Sequence, residues 1–99
     1  MKAAVSVWKS NPENHSAVLE MFQDLYNYMR GVKGCVGVYH IAEYEQNLFG
    51  HISIWETQQD LDNYHQQRDK DNPDAVSNLK NLVSEMKTLG IFDVVESNQ

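Results

Sequence analysis

His51, Trp55, Tyr64 and His65 are spaced so that one strand and the helix after it could bring them to a single pocket. In the stretch HISIWETQQDLDNYH, alternation puts His51, Ser53 and Trp55 on one strand face, and the following helix carries Tyr64 and His65. An imidazole titrates near neutral pH, so His51 or His65 could take the proton of a phenol. Trp55 could stack on a flat substrate and shield reaction intermediates from water. Tyr39, Ser6 and Tyr64 would add hydroxyls that orient a ligand among aromatic walls. Plainer roles compete with each of these. His51 would serve as a buried or interface histidine, and Trp55 as a core or dimer anchor. His65 would be a solvated position in the polar run DNYHQQRDKDN.

The four histidines do not read as one metal cluster. His40 should alternate to the side opposite Tyr39, and His15 falls in the first turn of a helix. No HExxH, closely spaced Cys/His set or carboxylate facial triad is present, and no phosphate-cradling glycine loop or dinucleotide fingerprint.

The elements that would position these residues alternate cleanly. Ala3 to Lys9 reads as a strand. Ser10 with Glu13 has capping-box spacing, and Asn11 before Pro12 is the competing helix start. Val18, Phe22, Leu25, Tyr26 and Met29 recur at helical spacing until Gly31. Gly34 to Glu43 and Leu48 to Trp55 form a hairpin. Its best register sets Val38 against Ile52, Val36 against Ile54, Tyr39 against His51 and Cys35 against Trp55. One face is then apolar and suited to helices; the other, with Tyr39, His51 and Trp55, is mixed aromatic and polar.

Thr57 and Asp60 start a helix carrying Leu61, Tyr64 and His65. Asp71-Asn72-Pro73-Asp74 interrupts it. A last helix should carry Val76, Leu79, Leu82, Val83 and Met86, end at Gly90, and give way to a strand over Ile91 to Glu96. Strand, helix, strand, strand, helix, strand is the order of an α+β, ferredoxin-like antiparallel sheet with helices on one face. Residues 1–99 form one domain. A two-faced sheet predicts a homodimer through the non-helical face.

A formal charge of -6, with 8 basic against 14 acidic side chains, disfavours a nucleic-acid binder. No apolar run reaches membrane-spanning length and the N-terminus lacks a signal-peptide core, so no membrane association is expected. Cys35 is the only cysteine, which suits the cytoplasm; as a half-buried hydrophobe it needs no reactivity.

The segments GCVGVYH and FGHISIWETQQDLDNYH resemble the antibiotic-biosynthesis-monooxygenase family of the dimeric α/β-barrel superfamily. That family has a glycine-containing second strand, a third strand ending in tryptophan, and a helix that often carries a histidine. Trp55 matches the tryptophan, and Tyr64 or His65 occupies the helix region that often faces the ligand. The better-characterised members also use an asparagine near the tryptophan, where this chain has Ser6, His51 or Ser53. The resemblance implies a cofactor-independent monooxygenase of a small aromatic phenol or quinol. Deprotonation by His51 or His65 would be followed by electron transfer to oxygen in a pocket shielded by Trp55. The family also implies two alternatives: haem binding or breakdown with His65 as axial ligand, and a non-catalytic dimeric stress-response or ligand-binding module.

Overall fold

The computed structural model describes residues 1–95, with backbone alone for Ala75, Val76 and residues 84–88. Four strands, β1 (Lys2–Ser10), β2 (Cys35–Glu43), β3 (Leu48–Trp55) and β4 (Val83–Asp93), make one sheet in the order β2-β3-β1-β4. Each neighbouring pair is antiparallel. Three helices, α1 (His15–Arg30), α2 (Gln58–Asp71) and α3 (Ala75–Leu82), complete an α+β ferredoxin-like fold. No helix among the described residues is long and apolar enough to cross a membrane.

Pro12 decides how the first helix starts. Its ring suits a first turn, and a single 3-10 turn over Pro12–Asn14 precedes α1. The capping-box alternative does not form, because Ser10 is buried in β1 and its N–H bonds Asn47 O at 3.0 Å. Val18, Phe22, Tyr26 and Met29 form the buried stripe of α1. The start of α2 follows the expected chemistry: Thr57 Oγ1 accepts from Asp60 N at 3.1 Å. Gly34, at φ +87°, makes the turn into β2, where an added Cβ would collide with the Asp60 carboxyl.

Two expectations are corrected. The helix expected to reach Gly90 ends at Leu82, and Val83–Asp93 pairs with β1 instead. The apolar spacing there is helical, but β1 has an open edge whose N–H and C=O groups need partners, and that non-local ladder overrides local pattern. Gly90, at φ +128°, sits in this strand beside an irregularity between Val5 and Ser6 rather than capping a helix. The expected strand over Ile91 to Glu96 is thus the end of β4; Glu96 lies outside the described residues.

The hairpin register is also corrected. Cys35 pairs with Trp55 as expected, but a bulge between Cys35 and Gly37 slips the rest by one. Val38 therefore faces Ser53, Tyr39 faces Ile52, and His40 faces His51. One residue of slip changes which β3 residues share each face. Tyr39 keeps the expected non-helical face and Val38 the helical one, but His51 and Trp55 now lie on the side of Val38. Tyr39 lies 61% exposed on the open face, with Val5, Val7, Ile52 and Ile54 as its alternating neighbours. The helices cover the face of Phe49, His51, Ser53 and Trp55, not the Ile52–Ile54 face expected to receive them.

Beneath the helices the core divides into two aromatic nuclei. Trp8, Phe22, Tyr26 and Phe49 anchor one; Met29, Trp55, Leu61 and Tyr64 make the other; Val38 touches both.

Candidate functional site

Between the two nuclei the sheet carries short side chains. Ala4 pairs with Ser53 and Ser6 with His51, so on two alternate rungs of β1 and β3 the small Ala4, Ser6 and Ser53 side chains fill little of the space below α1 and α2. A cavity of about 500 Å³ results. That is within the range of small-molecule sites.

Trp8 and Phe22 close one side, their ring centroids 4.7 Å apart. Tyr64 forms part of another wall and stacks on Trp55 at 5.1 Å with a 28° tilt. Trp55 itself is fully buried and stands one ring behind the lining, with its indole N–H donated to Ser53 Oγ at 3.0 Å. It therefore does not stack on a cavity ligand directly, as the sequence had suggested; Tyr64 presents the ring. His65 and Arg68 of α2 also line the cavity, and Tyr28 donates to Asp71 Oδ2 at 3.2 Å to link α1 with the end of α2.

His51 lies on the floor, its ring 5.0 Å from Trp8 and edge-on to Tyr26 at 5.8 Å. Burial, with smaller contributions from His40, Arg68 and His65, pushes its pKa down to about 4. The imidazole is therefore neutral at pH 7, and Nδ1 is enclosed without a hydrogen-bond partner. Burial and Arg68 also lower His65, while Asp69 and Asp62 oppose that shift. Tyr64 is pushed up to about 12 by burial, against the pull of the Arg68 guanidinium beside its hydroxyl. Enclosed polar groups left unsatisfied are uncommon and costly in a packed protein.

Four of the residues singled out from sequence, Ser6, His51, Tyr64 and His65, line one cavity. Tyr39 does not join them. The bulge leaves it on the face away from His51, and His40 takes the place opposite His51. Arg68 was overlooked, although Leu61, Tyr64 and Arg68 fall at i, i+3 and i+7 on one helix face. Trp8 had a weaker signal, at the end of an alternating strand. Cys35 is half-buried with its pKa raised by burial, as a packing residue would be.

No family model and no curated protein matches this chain. Solved structures do. One is a proposed antibiotic biosynthesis monooxygenase from Deinococcus radiodurans, at TM-score 0.83 and 16% identity, covering 100% of this chain and 97% of that one. Another is Rv0793 from Mycobacterium tuberculosis, at TM-score 0.78 and 11% identity over 99% and 98% of the two chains. A third is SnoaB, a cofactor-independent oxygenase from Streptomyces nogalater, at TM-score 0.73 and 15% identity over 97% and 94%. At these identities the likeness establishes a shared fold.

Proposed function

We propose that this protein is a homodimeric, cofactor-independent monooxygenase acting on a small aromatic phenol or quinol. The observation that carries the reading is the meeting of His51, His65, Ser6 and Tyr64 around one aromatic-walled cavity. An oxygenase with the same fold adds support.

His65 is the better base of the two histidines, because Asp62 and Asp69 stabilise the imidazolium that forms. His51, held neutral, contributes a hydrogen bond to the substrate oxygen; Ser6 and Tyr64 orient the ring. The phenolate gives one electron to dioxygen, and the two radicals combine through a new C–O bond. The imidazolium protonates the resulting peroxide. Loss of the ring C–H proton and cleavage of the O–O bond then release water and leave a quinone. Phenol plus dioxygen becomes quinone plus water, with the substrate supplying the electrons. Trp55 acts as a positioning residue through its stack on Tyr64.

Mass spectrometry of turnover under ¹⁸O₂ tests this reading. One labelled oxygen atom should enter the quinone and the other should appear in water. A product without label, or no oxygen-dependent turnover across a phenol and quinol panel, would reject it.

Haem binding is a second reading, because the cavity wall offers His65, an imidazole that burial and Arg68 bias toward the neutral form iron ligation needs. Haem would bring its own redox chemistry. A visible absorption band on titration with haem, lost in His65→Ala, would favour it. Stable retention of an aromatic ligand without oxygen uptake would instead favour a binding module.

The homodimer uses the open sheet face. Val5, Val7, Ile52 and Ile54 are half-buried there, and Tyr39 and Phe92 are exposed at 61% and 50%. A second copy would cover this apolar layer.

A further inference from the structure

Arg68 is the one Lys or Arg among the described residues lining the cavity, in a protein whose formal charge is -6. Its side chain is only 22% exposed, and the guanidinium carbon lies over the Tyr64 ring at 5.6 Å from the centroid. Stacking of that kind fixes the planar head in place before any ligand arrives. Its ion pair is lopsided: Nε and Nη2 both donate to the single Oδ1 of Asp69, at 3.2 and 3.1 Å, and Asp69 is 65% exposed. A guanidinium has five N–H donors, so donors remain after this contact.

Among the described residues, the other charges at the cavity are acidic. Asp71 already has both oxygens occupied, Oδ2 by Tyr28 at 3.2 Å and Oδ1 by Gln67 Nε2 at 2.9 Å. Asp24, on the exposed side of α1, also borders the cavity and would repel an anion that strayed from Arg68. The histidines are biased toward neutrality. A ligand anion thus has one attractive anchor, on the α2 side, with the His51 floor left for the rest of the ring system.

We propose that the cavity selects an aromatic ligand bearing a carboxylate, which pairs with Arg68 while the ring lies against Tyr64. This deepens the oxygenase reading by naming its substrate class, but ligand binding can be tested without turnover. The probes are 1-hydroxy-2-naphthoate and 1-naphthol, which share ring and hydroxyl and differ in the carboxylate.

Calorimetric titration at pH 7 should give the naphthoate an affinity about tenfold or more above naphthol. Arg68→Gln should erase that preference while still binding naphthol, and Arg68→Lys should keep part of it. Asp69→Asn, which removes the competing carboxylate, should increase the preference and guards against a folding defect in the arginine variants. Equal binding of the two probes by the natural protein would overturn the proposal. So would a preference that survives Arg68→Gln, or one that Asp69→Asn leaves unchanged. Selective binding without oxygen uptake would sustain the carboxylate site and reject the oxygenase; uptake of neutral phenols with no carboxylate preference would do the reverse.

Discussion

His40 and His51 face each other across β2 and β3, and the pair joins an exposed imidazole to an enclosed one. Both are biased toward the neutral form, chiefly by burial, and a charge on His40 further disfavours one on His51.

The first prediction concerns acid. The folded pKa of His51, about 4, lies below its ordinary 6.5, so the unfolded chain binds the proton more readily. Its contribution to stability is full above pH 6.5 and is lost as pH falls toward about 4. The ceiling is about 3 kcal/mol. His40 and His65 shift in the same direction and add to the trend. Urea midpoints should therefore drop between pH 6.5 and 5, and His51→Gln should flatten the slope. A slope unchanged by that substitution would mean that His51 does not titrate in this window.

The second prediction rests on the hydrogen bond from Trp55 Nε1 to Ser53 Oγ. Ser53→Ala leaves a buried indole N–H without its acceptor, at a cost of about 1–3 kcal/mol. Trp55→Ala removes the whole ring from the second nucleus and should cost about 3–5 kcal/mol. Denaturant unfolding checks both, and a loss for Ser53→Ala as large as that for Trp55→Ala would contradict the ranking.

A third prediction tests the open face. Ile54→Lys places a charge in the middle of the apolar layer proposed to meet a second copy. Sedimentation at micromolar concentration should show a dimer for the natural chain and a monomer for the variant. Dimers from both would move the interface elsewhere.

Much of this arrangement was legible in the residues themselves. Strand alternation, the buried stripe Val18-Phe22-Tyr26-Met29, and the Thr57–Asp60 cap each carry a local signal, and together they give the element order. What stayed hidden was non-local. Val83–Asp93 has helical spacing, and only the open edge of β1 makes it a strand. The bulge before Gly37 shifts register by one residue, which exchanges Tyr39 for His40 beside His51 and sets Val38, on the helix-covered face, against Ser53 rather than Ile52. Glycine in a strand hints at such a bulge but does not say which way the slip runs. The cavity itself follows from absence of bulk at Ala4, Ser6 and Ser53, a feature that gains meaning only once those positions are paired.

The central claim is that histidines at this cavity let a bound phenol react with dioxygen. Oxygen consumption with a phenol and quinol panel, compared between the natural protein and a variant with His51→Gln and His65→Gln together, tests it most directly. The account predicts catalytic oxygen uptake by the natural protein and a loss of at least about a hundredfold in the double variant, as expected for removal of a general base. Equal rates from a folded double variant would contradict it.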